Sequence, residues 1–147
     1  MNNLYKKYLI RLRVVRESKS KIGQTNSPEA VVECVKKEMR NLDREYLVVV
    51  HLDNKNNVIG IEEVAKGTLN AAPICSREVF KSAVLCNAQS IILFHNHPSG
   101  DAQPSNDDVR STKILKQAGE IMGIELMDHI IVGSDGMYLS LKGKGLI

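Results

Sequence analysis

The chain has 147 residues, 43% of them hydrophobic and 25% charged, and a formal net charge of +3. This length suits one domain with a substantial buried core and is too short for two domains of ordinary size. The first residues lack the uninterrupted apolar stretch of a signal peptide, and no apolar run approaches the length that spans a bilayer. The sequence therefore carries no signal for secretion or membrane insertion.

The cysteines indicate the redox compartment. Cys34, Cys75 and Cys86 are odd in number, lie far apart and form no CxxC pair. This pattern is typical of reduced thiols and argues against a disulfide frame or a cysteine metal site. We therefore expect a cytoplasmic protein whose metal ligands, if it has any, are histidines and carboxylates.

Charge is unevenly distributed along the chain. Residues 1–44 hold eleven Lys and Arg against five acidic residues, whereas residues 45–147 hold nine against twelve. A basic arm of this kind can dock on the phosphates of DNA through salt-sensitive contacts. Scattered basic residues on a solvated face are the more common case, so DNA is the alternative interpretation of this segment.

The N-terminal part of the chain differs from the rest. A strand-like segment, Leu9–Val15, is followed by a polar loop. Pro28, preceded by a serine that can cap a helix, then predicts a helix that runs to about Asn41. We therefore divide the chain into a basic segment, residues 1–26, and one domain, residues 27–147.

Strand and helix patterns alternate in the middle of the domain. Tyr46–Leu52 is a dense β-branched run, and turn residues connect it to Val58–Ala65, which predicts a β-hairpin. Ser76 opens a second helix. Ser90–Phe94 is a short apolar run that suits a buried strand.

The last third of the sequence predicts one more helix and two closing strands. Ser105 has the features of an N-cap and Gly123 those of a helix end. Ile124–Val132 and Met137–Leu141, separated by turn residues, are the two strands. The whole pattern predicts an α/β fold with a mixed β-sheet and helices packed on it. The predicted apolar stripe of this third helix contains Val109, Ile114, Leu115, Ala118, Ile121 and Met122.

Two histidines stand at the end of the buried strand. In an extended segment His95 and His97 point to the same side, so they offer two imidazoles to one ion. Spacing alone is a weak motif, and a histidine pair that caps a strand edge without metal is the more common case. A turn at Pro98–Gly100 brings the next helix start back toward the imidazoles, which favours a metal site.

Three aspartates are candidates for the third metal ligand on physical grounds. Catalytic zinc usually takes three protein ligands and leaves a fourth position for water. Asp101, Asp107 and Asp108 all lie close enough in sequence, with a modest lead for Asp108. Asp108 can instead complete a capping box with Ser105 and bind nothing else. Ser105 is in turn either a plain N-cap or a hydroxyl that donates to an oxyanion beside the metal.

His95, His97, Ser105 and Asp108 reproduce the HxHx7SxxD pattern of the JAMM metalloproteases. From about residue 27 to the C-terminus the sequence resembles the RadC family. Three blocks carry this resemblance: Gly67–Asn70, Phe94–Asp108 and Asp128–Gly133.

The resemblance implies a JAB/MPN-type fold, related in architecture to cytidine deaminases, with one zinc ion held by His95, His97 and Asp108. JAMM sites also use an upstream glutamate at the junction between the first helix and the next strand. Glu45 stands at that junction and is carried over as the general base. Ser105 is carried over as the group that stabilises the oxyanion.

The function implied is that of a zinc-dependent metallohydrolase, a peptidase or isopeptidase, in a family labelled DNA repair. Longer RadC proteins usually carry a helix-hairpin-helix segment before the metal domain, and we expect this chain to be a short form without it. The alternatives are a DNA-associated factor that uses the basic N-terminal third and a metal-binding interaction domain without turnover. Two further histidines, His51 and His129, are expected to be packed rather than ligating. Asp128 either orients a ligating imidazole or is solvated.

Overall fold

The computed structural model of the protein describes residues 28–40, 42–67 and 74–147. The predicted strand Leu9–Val15 and the basic segment, residues 1–26, lie outside the described residues. No helix in the described part of the chain is long and apolar enough to cross a membrane. The elements in these ranges are α1 Pro28–Met39, β1 Tyr46–Leu52, β2 Val58–Lys66, α2 Ser76–Leu85, β3 Ser90–Asn96, α3 Asn106–Met122, β4 Glu125–Val132 and β5 Tyr138–Ser140.

The strands form one five-stranded mixed sheet in the order β2-β1-β3-β4-β5. β1 pairs antiparallel with both β2 and β3, and β5 pairs antiparallel with β4. β3 and β4 are parallel, and α3 connects them. This arrangement confirms the predicted mixed α/β fold.

The predicted β-hairpin is confirmed, and a single aspartate shapes its turn. The Asp53 carboxylate accepts hydrogen bonds from the backbone N–H groups of Lys55 (2.8 Å) and Asn57 (2.9 Å). Asn56 between them adopts a positive φ of 61°, which asparagine tolerates better than most residues. The turn thereby sets the register in which β1 and β2 pair.

Helices cover both faces of the sheet. On one face, Val79 and Phe80 of α2 and Leu115 of α3 pack against alternate residues of β1 and β3. On the other face, Val35 and Met39 of α1 pack against the intervening residues. Every residue of β3 is buried, as expected for a central strand covered on both sides. Because side chains alternate along a strand, His95 points to the α2/α3 face and Asn96 to the α1 face.

The predicted apolar stripe of α3 is partly wrong. Ile114, Ile121 and Met122 are exposed, Ile121 by 87%. Leu115 of that stripe is fully buried as predicted, and Val109 and Ala118 are partly buried, but the other buried residues of α3 are Ser111, Thr112 and Gly119. Small residues face the sheet because the helix lies very close to its neighbours. A Cβ added at Gly119 would lie 2.3 Å from the carbonyl oxygen of Ile124 and 3.1 Å from the Phe80 ring.

Candidate metal centre

The two motif histidines lie side by side at the end of the central strand. His95 is the penultimate residue of β3 and is 1% exposed. His97 follows the strand, and its N–H donates to the carbonyl of Val132 (3.0 Å), so the backbone stays aligned with β4 beyond the strand end. The two Nε2 atoms are 2.8 Å apart. The predicted convergence of both imidazoles on one point is therefore present.

Asp108 comes to the same point from the first turn of α3. Its Oδ1 lies 3.5 Å from His95 Nε2, and its Oδ2 lies 3.6 Å from His97 Nε2. The ligand atoms of His95, His97 and Asp108 all lie within 4.8 Å of one another, so the three residues can hold a metal ion.

The other two candidate aspartates are used elsewhere. The Asp101 carboxylate accepts a hydrogen bond from the Gln103 N–H (2.9 Å), and that of Asp107 is 85% exposed beside Arg110. Among the described residues, the group that can hold a metal includes Asp108 and neither of these two.

Ser105 caps α3 and at the same time holds the Asp108 carboxylate. The Ser105 N–H and hydroxyl both donate to Asp108 Oδ2, each at 2.7 Å, and the Asp108 N–H donates back to Ser105 Oγ at 3.1 Å. This is the capping box that the sequence offered as an alternative to metal ligation. Both arrangements occur together, because the capped carboxylate still faces the imidazoles. The cap therefore orients Asp108 toward the two Nε2 atoms.

A short loop fixes the orientation of His97. His97 Nδ1 lies 2.7 Å from the carbonyl oxygen of Asp101. A carbonyl only accepts, so we assign the ring proton to Nδ1, which leaves a lone pair on Nε2. Glycines let this loop approach β4. Gly100 has a φ of 88°, and a Cβ at Gly133 would lie 2.3 Å from the Gly100 carbonyl oxygen.

The electrostatics of the site differ from residue to residue. Burial lowers the pKa of His95 to about 4. The Asp108 carboxylate raises the pKa of His97 above its ordinary value, and the charge of Glu45 adds to this effect. Burial acts to raise the pKa of Asp108, but interactions with His97 and Ser105 outweigh it, so that pKa lies well below its usual range. Near neutral pH the site holds a neutral His95 and an ionised Asp108.

An asparagine that the sequence did not single out bonds to the backbone on both sides of Glu45. Asn96, between the two histidines, is 2% exposed and points to the opposite face of the sheet. Its Oδ1 accepts a hydrogen bond from the Tyr46 N–H (2.8 Å), and its Nδ2 donates to the Arg44 carbonyl (2.9 Å). These two backbone groups flank Glu45. Its carboxylate lies near enough to His97 to raise the pKa of that imidazole.

A second buried histidine contacts the site from behind. His129 in β4 is fully buried, as expected of a packed histidine. Its Nε2 lies 2.7 Å from His95 Nδ1, and its Nδ1 lies 2.7 Å from the hydroxyl of Thr112 in α3. Burial lowers the pKa of His129 well below its ordinary value. His51, in contrast, packs against Ser82 (3.0 Å) and takes no part in the cluster.

Asp128 does not orient an imidazole. Its carboxylate accepts hydrogen bonds from the Ser140 hydroxyl (2.6 Å) and from the backbone N–H groups of His129 (2.7 Å) and Lys142 (3.1 Å). The Asp128 side chain therefore links β4 to the end of β5 and to Lys142, which follows it. The residue that contacts the His95 ring is the next one, His129.

The donor set fits a divalent first-row metal. Imidazole nitrogens and carboxylate oxygens are ligands that such ions take readily. Three of them converge here, one of them the Asp108 carboxylate, and the Nε2 atoms of His95 and His97 lie 2.8 Å apart. The residues present therefore fit a metal ion.

Comparison with known proteins identifies the family of this chain. Residues 25–146 match the family model of the RadC-like JAB domain. The chain belongs to the RadC family. A UPF0758 protein of Desulfitobacterium hafniense is 48% identical to it over 122 residues, which cover 83% of this chain and 53% of that protein. A UPF0758 protein of Shouchella clausii is 48% identical over 133 residues, which cover 90% and 57%.

A third UPF0758 protein, from Clostridium perfringens, is 44% identical over 147 residues, 100% of this chain and 61% of that protein. The RadC-like chain thus spans a little over half the length of these relatives. The match covers every residue of the candidate metal centre, together with Glu45 and Ser105.

Proposed function

We propose that this RadC-like domain is a zinc-dependent hydrolase that cleaves an amide or isopeptide bond. The observation that carries the proposal is the convergence of His95, His97 and Asp108 on one point, with the Glu45 charge beside His97. The choice of an amide bond rests on the HxHx7SxxD pattern shared with the JAMM metalloproteases.

Each residue has a distinct role in this proposal. His95, His97 and Asp108 would hold zinc, which when bound lowers the pKa of a water ligand toward neutrality and polarises a carbonyl. The Glu45 carboxylate would accept a proton from the attacking water and pass it to the leaving amine. The Ser105 hydroxyl donates to Asp108 Oδ2 in this structure and would rotate about its C–O bond to donate to the developing oxyanion.

Two other functions are weaker. A metal-binding interaction domain without turnover needs no acid beside the metal, whereas Glu45 acts electrostatically on His97. A DNA-associated factor would use the basic excess of residues 1–44, all of which lies in residues 1–26, outside the described ranges. DNA binding through that segment stays a prediction.

Zinc content per chain tests the proposed ligands. We expect about one zinc per chain in the wild type and close to none in His97→Ala and Asp108→Ala, because two remaining ligands hold zinc poorly. Asp107→Ala is the matched control, since Asp107 lies in the same helical turn and points to solvent. Elemental analysis after dialysis against trace zinc gives the stoichiometry. Equal zinc in all four proteins, or none in the wild type, would rule out this site.

Zinc affinity is expected to weaken as the pH falls. The Asp108 carboxylate raises the pKa of His97 in the metal-free protein, so at a pH below that pKa zinc must displace a proton from His97. The pKa of His95 is about 4 and that of Asp108 is lowered, so neither residue competes near neutral pH. Below the His97 midpoint the apparent affinity should drop about tenfold per pH unit. Competition with a chelator across this range measures the slope, and a flat profile would contradict the assignment.

A further inference from the structure

We propose that His129 and Thr112 form a hydrogen-bond relay that fixes the tautomer and the orientation of His95 as a metal ligand. The inference rests on the proposed metal binding by His95 and is independent of which bond the protein cleaves. It makes His129 and Thr112 positioning residues that act through His95.

The direction of each hydrogen bond in the relay follows from the bond that the Thr112 hydroxyl makes with a backbone carbonyl. The Thr112 hydroxyl lies 2.6 Å from the carbonyl oxygen of Asp108, which can only accept, so Thr112 donates there. The same hydroxyl lies 2.7 Å from His129 Nδ1 and must accept from it, so His129 carries its proton on Nδ1.

The hydrogen bond between His129 and His95 determines which ring nitrogen of His95 carries the proton. With its proton on Nδ1, the neutral His129 ring presents a lone pair at Nε2, 2.7 Å from His95 Nδ1. His95 therefore carries its own proton on Nδ1 and donates it to His129. His95 Nε2 is left with a lone pair that points at His97 Nε2 and Asp108. This is the form of imidazole that ligates a metal.

The surroundings of the His129 ring favour this arrangement of protons. His129 is fully buried, and the partners of its ring are an imidazole and a hydroxyl, neither of which is an anion. A charged ring there would have no anion as a hydrogen-bond partner, which is costly in a buried site. The opposite tautomer would direct an N–H at the lone pair of His95 and leave that ring to carry its proton on Nε2.

The relay also joins the two segments that supply the ligands. His95 comes from β3, whereas Asp108 comes from α3 one turn before Thr112. His129 lies in β4, whose parallel pairing with β3 places it opposite Leu93, on the face of the sheet that His95 occupies. A change at His129 therefore affects His95 through the hydrogen bond between the two rings. It affects Asp108 through Thr112, whose hydroxyl donates to the Asp108 carbonyl.

The test compares zinc affinity in four variants with that of the wild type, by chelator competition at neutral pH. His129→Leu removes both hydrogen bonds, and Thr112→Val removes the hydroxyl at nearly constant shape. Thr112→Ser restores the hydroxyl. His51→Leu is the matched control, because His51 is also buried but pairs with Ile91, away from His95 along β3.

We expect His129→Leu to weaken zinc binding by about 10- to 100-fold, the usual effect of losing a partner behind a metal ligand. Thr112→Val should weaken it less, Thr112→Ser should recover the wild-type affinity, and His51→Leu should leave it unchanged. Long-range ¹H–¹⁵N spectra of the zinc-loaded wild type should show the proton of His95 on Nδ1. If His129→Leu fails to fold, the zinc affinities of Thr112→Val and Thr112→Ser test the relay.

Two results would overturn the relay alone: wild-type affinity in both His129→Leu and Thr112→Val, or ligation through His95 Nδ1. A wild type that binds no zinc would overturn the relay and the proposed function together. Zinc binding that depends on the relay, in a protein that hydrolyses no amide, would support the relay and refute only the proposed hydrolase.

Discussion

Replacement of Glu45 by glutamine is expected to reduce amide hydrolysis by about 10²- to 10⁴-fold while the protein keeps its zinc. Glutamine has the shape of glutamate but cannot accept the proton of the attacking water. The ligands His95, His97 and Asp108 do not involve Glu45, so their geometry should survive the change. This variant therefore separates proton transfer from metal binding.

Two measurements on Glu45→Gln check the prediction. Release of free amine from a mixture of short peptides and an isopeptide-linked lysine substrate gives the rate, and elemental analysis gives the zinc content. The control is Glu63→Gln, an exposed glutamate in β2 that pairs with Val48. Loss of zinc in Glu45→Gln, or an undiminished rate, would remove Glu45 from the proposed role.

The same variant has a readout that does not depend on turnover. The negative charge of Glu45 helps to raise the pKa of His97. Removal of this charge destabilises the imidazolium, so the His97 midpoint should move to lower pH in Glu45→Gln. An NMR titration of the metal-free protein measures that midpoint. No movement would mean that the Glu45 side chain is too far from the metal to act on a water there.

Replacement of Asn96 by alanine is expected to be the next most damaging change. It leaves the Tyr46 N–H and the Arg44 carbonyl without their partner at the start of β1. Loss of two partly buried hydrogen bonds should lower the free energy of unfolding by about 2–4 kcal/mol. It should also slow hydrolysis, because the backbone on both sides of Glu45 loses its anchor. Asn96 points away from the imidazoles, so zinc binding should persist.

Chemical denaturation of the metal-free protein, zinc content and the hydrolysis rate together test this prediction. Asn57→Ala is the control, since the Asn57 amide bonds only within the exposed turn of the hairpin. If Asn96→Ala is less stable but hydrolyses at the wild-type rate, Asn96 supports the fold and has no part in placing Glu45.

Local signals in the sequence predicted most of the elements and the ligand cluster. Pro28, Ser105 and Gly123 mark helix ends through backbone geometry that depends only on near neighbours, and the structure has helix ends at these positions. His95 and His97 converge because the pleat of a strand places alternate side chains on one side. Spacing alone left three aspartates open. The capping box decided among them by turning the Asp108 carboxylate toward the imidazoles.

The parts that the sequence did not reveal depend on contacts between distant segments. Asn96 bonds to backbone groups about 50 positions earlier in the chain, and His129 reaches His95 through the register between β3 and β4. Nothing near Asn96 or His129 in sequence predicts these partners. Part of the predicted apolar stripe of α3 was wrong for a similar reason, since the space between Gly119 and its neighbours is set by tertiary packing.

The sheet order separates the metal ligands from the proposed base. One continuous β3–α3–β4 unit contains the candidate ligands and the relay residues, namely His95, His97, Asp108, Thr112 and His129. Glu45 instead directly precedes β1, the strand that neighbours β3 in the sheet. In the proposed mechanism, the residues for metal binding and the residue for proton transfer therefore come from separate stretches of the chain. Under the same proposal, a small change just before β1 would abolish turnover in a relative that still binds a metal ion. Such a relative would look intact when judged by its histidines alone.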